Sequence, residues 1–229
     1  MIGKDELSQF RDSDLYPNRY NRKLSVSYRP FILLENKIYY SAKSVYQSVF
    51  ILYQQIEEGR YRASSKELIS FLSKINNKKG AAFTEKIEKL YKNYNSLALY
   101  REKDIGPNRT LQYTERLGDI DILIINKELK HIICLEAKNY VASRTFFDME
   151  RDSVKIQKDL EKVKRRDEWC KQNVYQFNKI DSDVDESFSI STILLSMNVD
   201  AYRYIIEEQP SIKLYSAIEI IENPLIVFE

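Results

Sequence analysis

At 229 residues, 43% of them hydrophobic and 31% charged, the chain suits one domain of catalytic size with an appendage better than two full domains. Five glycines and five prolines exclude a collagen-like or low-complexity polymer. A formal net charge of +2 supplies no general attraction to nucleic acid, so any such case has to be local.

No segment approaches the roughly 18 apolar residues of a membrane span, and MIGKDELSQFRDSD lacks the basic-then-apolar order of a signal peptide, so a cytoplasmic location is expected. Cys134, in an apolar run, and Cys170, on a predicted helix, show neither zinc spacing nor a disulfide framework and read as packing residues. The single histidine, His131, removes His-based metal triads and argues against a Ser-His-Asp mechanism. Beside a predicted turn, it reads as an exposed residue.

Residues 1–30 are rich in Asp, Arg, Asn and Tyr without a sustained period, which predicts an irregular arm ending at Arg29-Pro30. Phe31 to Tyr40 reads as two short strands around Glu35-Asn36. Ala42, Val45, Tyr46, Val49, Phe50, Tyr53 and Ile56 then recur at helical spacing, with Gly59 as the stop. Ser64-Ser65-Lys66-Glu67 is a capping-box pattern that opens a second helix through Leu68, Leu72 and Ile75. Asn76 to Gly80 predicts a break, and Phe83, Ile87, Leu90, Tyr91 and Tyr94 form the face of a third helix. The domain edge is therefore set at Gly80, with an N-terminal arm and helical region over 1–79 and the core over 80–229. Of seventeen tyrosines, Tyr39, Tyr40, Tyr46, Tyr53 and Tyr61 gather near the first helix. A homodimer or partner surface and ordinary core packing account for them equally well.

Asp119 to Ile125 and Ile132 to Ala137 are short and β-branched, and the five residues from Asn126 to Lys130 between them predict a hairpin. A long charged helix follows from about Ser153 to Asn173, then a strand from Phe188 to Met197. Tyr202 to Ile206 and Ile212 to Ile221 carry mixed signals. This order predicts an α/β fold, a central mixed sheet flanked by helices with a mainly helical N-terminal extension.

Residues two apart in a strand share a face. With Asn126 paired to His131, antiparallel register sets Asp121 opposite Glu136 and Asp119 opposite Lys138, so all four charges would meet on one face. Two carboxylates at that spacing repel unless a cation lies between them, and two acids with a lysine suit Mg²⁺ better than a closed calcium cage. Both faces of the two strands are otherwise apolar, as in a sheet covered by helices on both sides. The charges sit at one end, where ligands of open α/β sheets bind.

Gly118-Asp119-Ile120-Asp121, opening the run GDIDILII to Ile125, and Glu136-Ala137-Lys138, which starts eleven positions after Ile125, together resemble the PD-(D/E)xK nuclease superfamily in its nuclease-related and resolvase-like branch. The resemblance spans roughly Gly80 to Met197 and takes in Asn139 to Thr145 and Arg165-Arg166-Asp167-Glu168-Trp169. It implies a restriction-endonuclease-like α/β/α core and a metal-dependent endonuclease acting on DNA, in defence or DNA processing. Asp121 and Glu136 would be the metal-binding acids, and Lys138 would position or activate water. Asp119 would be a supporting acid, and Mg²⁺ the cofactor, with Mn²⁺ as a substitute. Many relatives carry an acid after a Gly-x-x-Phe pattern on the preceding helix. Here Gly80-Ala81-Ala82-Phe83 is followed by Thr84, with Glu85 turned away from the apolar face and Glu88 somewhat better placed. That departure keeps open a second reading, a catalytically weak or inactive module of the same fold that binds nucleic acid or a protein partner. A third is a subunit or fragment of a larger defence nuclease, with targeting supplied elsewhere.

Lys155, Lys158, Lys162 and Arg165 fall at helical spacing and would track a phosphate backbone, with Trp169 stacking on a base. Asp159, Glu161, Asp167 and Glu168 interleave with them, which favours a solvated, salt-bridged helix anchored on the sheet by Trp169. Glycine-rich phosphate cradles are absent, which counts against ATP use.

Overall fold

Glu35 and Asn36 both adopt positive φ, 49° and 60°, the conformation of a two-residue hairpin turn whose twist matches its strands. They join β1 (Ile32–Leu34) to β2 (Lys37–Tyr39) in antiparallel register, with Leu34 opposite Lys37. Helix α1 (Ala42–Glu57) follows, capped by Ser41, whose side chain accepts from the Ser44 amide at 3.1 Å. Gly59, at φ 70°, stands just past its end. The computed structural model describes residues 30–61, 63–140, 146–198 and 212–228. The expected N-terminal arm over 1–29, residues 141–145 and the Tyr202–Ile206 segment lie outside the described residues.

Helix α2 (Lys66–Tyr91) runs unbroken through Asn76 to Gly80, where the sequence predicts a stop and a third helix. Its cap is Ser65, which accepts from the Leu68 amide at 3.2 Å, rather than Ser64. A glycine inside a helix costs only about 1 kcal/mol and an asparagine less. Against that, Phe83, Ile87 and Tyr91 are buried in the core, each contributing about 1.5–3 kcal/mol. Burial outweighs propensity, and the helix continues. The chain divides into two compact units between Lys74 and Ile75, inside α2.

The second unit is built on a six-stranded sheet of order β4-β3-β5-β6-β7-β8. Its strands are β3 (Leu97–Gly106), β4 (Leu111–Gln112), β5 (Gly118–Asn126), β6 (His131–Lys138), β7 (Ser189–Ser196) and β8 (Ile212–Ser216). β5 runs antiparallel to both of its neighbours, β3 and β6, and β6, β7 and β8 are parallel, so the sheet is mixed. Helix α3 (Phe146–Gln172) crosses between β6 and β7, and the short α4 (Ala217–Glu222) follows β8.

Both faces of the sheet are dry. Leu123, Ile125, Ile132 and Cys134 pack with Trp169 and Cys170 of α3. Ile122, Ile124, Ile133 and Leu135 pack with Phe83, Ile87 and Tyr91 of α2 and with Ile220 of α4. The apolar character of both strand faces follows from this double cover. Trp169 is an anchor in that core, edge-on to Tyr113, and the two cysteines are buried and unbridged. His131 is half-buried rather than exposed, with Nδ1 2.6 Å from the Ser189 hydroxyl and its ring edge-on to Phe228. No described helix is long and apolar enough to cross a membrane.

Candidate functional site

β5 and β6 stay paired from Asn126 opposite His131 to Ile122 opposite Leu135 and then part. Beyond that point β5 follows β3, with Asp119 opposite Asp104, while β6 follows β7, with Glu136 opposite Leu194 and Lys138 opposite Ser196. The ladder thus has the expected register but ends one pair before the acids. The expected pairing of Asp119 with Lys138 does not form, because β6 leaves that edge of β5 after Leu135 while β3 stays paired on the opposite edge.

The strand also loses its alternation there. Ile120 packs with Ile105 and Leu111 on the α3 side, whereas Ile122 packs on the α2 side. The break falls at Asp121, beside Glu102, whose φ of 49° is left-handed. Asp119 and Asp121 therefore do not share a face as a simple two-residue period requires.

Side chains bridge the gap where main-chain pairing ends. The Ala137 amide donates to Asp121 Oδ2 at 2.7 Å. Lys138 Nζ lies 2.6 Å from Glu136 Oε1. Arg166 of α3 donates from Nη1 to Glu136 Oε2 and to the Asp119 carbonyl. Arg166 and Glu136 are each only 7% exposed, and a buried ion pair of this kind persists only when its geometry is good. At Gly118, a Cβ would stand 3.5 Å from Arg166 Nη2, ordinary contact, but φ is +92°. Backbone conformation, not space, demands glycine there.

The electrostatics follow from the crowding. Burial, and then the neighbouring Glu136 charge, push Asp121 up to about 6, against the pull of the Ala137 amide and Lys138. Burial disfavours the Lys138 ammonium, but Glu136 and Asp121 outweigh it and hold its pKa above the usual lysine value. Lys138 is therefore a permanent cation at neutral pH. It can donate hydrogen bonds to a phosphate or a water, and it cannot take a proton from one.

Asp121, Glu136 and Lys138 thus come together. Asp119 offers its carbonyl to Arg166, and its side chain is exposed. The helix before the hairpin brings no third acid. Thr84 bonds back to the Gly80 carbonyl at 3.1 Å, Glu85 pairs with Lys89 at 2.7 Å on the surface, and Glu88 is tied to Lys92 and Arg101. Among the described residues no three His, Cys, Asp or Glu side chains converge as a metal cage. What remains is a pair of hard oxygen ligands, one raised by the other's charge. That donor set fits a single Mg²⁺, which takes one or two carboxylates and completes its shell with water and substrate phosphate.

Lys155, Lys158, Lys162 and Arg165 lie on the outer face of α3, all exposed. Lys155 sits 5.5 Å above the Tyr140 ring, Lys162 pairs with Asp159 at 3.7 Å and Arg165 with Glu115 at 2.9 Å. The salt-bridged reading of this helix describes two of the four, Lys162 and Arg165. Arg166 lies outside that exposed set, and its sequence position carries a signal of its own. It occupies a position on the buried face with Val163 and Cys170, and a buried arginine requires a buried anion.

No protein-family model, curated protein or solved structure matches the chain.

Proposed function

We propose that the protein is a Mg²⁺-dependent nuclease with a restriction-endonuclease-like core, hydrolysing phosphodiester bonds of DNA. The observation that carries this reading is the gathering of Asp121, Glu136 and Lys138 where β5 and β6 part, outside the carboxyl ends of parallel β6, β7 and β8. Asp121 and Glu136 would hold the ion. When bound, it would stabilise charge on the phosphate and make water a better nucleophile. The chain's own residues supply the rest. Lys138, held protonated by Glu136 and Asp121, donates to a phosphate oxygen or orients the attacking water. Arg166 fixes the Glu136 carboxylate against β5, and its buried position keeps water out from behind the site.

Supercoiled plasmid and single-stranded DNA, incubated with the purified chain and Mg²⁺ or Mn²⁺, provide the test. Cleavage that falls by about 100-fold or more in Lys138→Ala is expected, the scale of losing one charged stabiliser of a transition state. Intact substrates, or equal cutting by the variant, would refute the nuclease.

One observation favours the second reading, a module of the same fold that binds nucleic acid or a protein without cutting. Both Glu136 oxygens are engaged by cations of the chain itself, so the site is charge-balanced before any metal arrives. DNA binding indifferent to Mg²⁺ and to Asp121→Ala would select it.

A further inference from the structure

Helix α1 has no buried residue. Tyr46, Val49, Phe50 and Tyr53, spaced to form one stripe, are 74%, 61%, 52% and 61% exposed. The hairpin that leads into it is exposed along both strands. An isolated helix of this length is marginal in water, and so is a lone two-stranded hairpin. Neither element can owe its stability to itself. We infer that this face is the self-association surface of the protein, and that a second copy of the chain covers it.

Area supports a protein partner of this size. The four stripe side chains expose roughly 100 Å² each, about 400 Å² together, which by itself is within the range of the largest apolar patch on a monomer, about 300–600 Å². With Ile38 and Tyr40 of the hairpin and their apolar neighbours, the exposed surface rises to roughly 800 Å², the share that one partner gives to a stable interface.

Charge selects the second copy. From Ser44 to Ile56 the helix carries no charged residue, in a chain that is 31% charged. A nucleic-acid partner would need cations on this face, as would a membrane surface. A two-fold interface sets each group opposite its own copy, so an uncharged face meets no like charge. The flanking Gln47, Gln54 and Gln55 can pair with themselves, since an amide both donates and accepts.

Sedimentation equilibrium of the full chain from about 1 to 100 µM is the experiment. A reversible dimer of 27.2 kDa chains is expected, weakened about 30-fold or more by Tyr46→Glu combined with Tyr53→Glu, as for loss of interface hot spots. Helix content by circular dichroism controls for folding. As an independent variant that retains the apolar face, Val49→Cys should give a covalent dimer under mild oxidation. A monomer throughout, or association unaltered in the double variant, would overturn the inference. So would a monomer that loses thermal stability in the double variant, because that result assigns the face to a segment of the same chain. None of these outcomes depends on nuclease activity.

Discussion

Glu136 commits one oxygen to Lys138 and the other to Arg166, and both cations are held by the fold. Removing one partner of a buried pair leaves an uncompensated charge, typically at 3–5 kcal/mol. Here Lys138 still faces Glu136, so Arg166→Met should cost about 2–3 kcal/mol in urea unfolding at pH 7. Millimolar Mg²⁺ should recover part of that loss, and Arg166→Lys should behave between the two. A loss that Mg²⁺ does not touch would separate Arg166 from the proposed metal site. Asp121 gives a second test through its sign. Its folded pKa, about 6, is above the ordinary aspartate value, so the stability it contributes is fully present below about pH 4 and is lost as pH rises through about 6. Relative to Asp121→Asn, the wild type should therefore lose stability between pH 4.5 and 7. Mg²⁺ at pH 7 should narrow that gap. Denaturation curves of both proteins at the two pH values measure it.

At the scale of elements, α2 shows how far propensity carries. Asn76, Asn77 and Gly80 are poor helix residues, yet the helix spans them because its second half is buried on the sheet. Nothing lies within 4 Å of a Cβ built at Gly80, so Gly80→Ala should stabilise the protein by about 0.5–1 kcal/mol. Thermal melts will detect a rise of a few degrees; no rise would mean the helix does break there. Gly118→Ala should do the opposite, because φ is +92°; a cost of about 1–2 kcal/mol is expected from that conformation alone. β3 was not legible for a related reason. Its apolar start, Leu97 to Tyr100, runs into Arg101-Glu102-Lys103-Asp104, four charges that erase any period of two, and only the ladder to β5 makes that stretch a strand.

For the whole molecule, the net charge is only +2, and the pairing of Lys162 and Arg165 leaves few cations on α3 to neutralise phosphates. DNA binding without metal should therefore have a shallow salt dependence, a log–log slope of about −2 to −3, measurable by fluorescence anisotropy between 50 and 200 mM salt. A slope near −6 would require a basic surface elsewhere. The sequence alone determined the hairpin of β5 and β6, its register, its two apolar faces and the presence of Asp121, Glu136 and Lys138 at one end, because strand period and turn length are local. It also carried both alternatives for the N-terminal tyrosines; Tyr39, Tyr40, Tyr46 and Tyr53 are exposed, which removes core packing for these four, and Tyr61 is half-buried. Tertiary structure decided the rest. The parting of β5 from β6, the displacement of Ile120 to the other face and the arrival of Arg166 from a helix thirty residues away all depend on which neighbour each strand takes, β3 on one side and β7 on the other. No period or spacing within the chain encodes those neighbours, because they are chosen by packing between residues far apart in sequence.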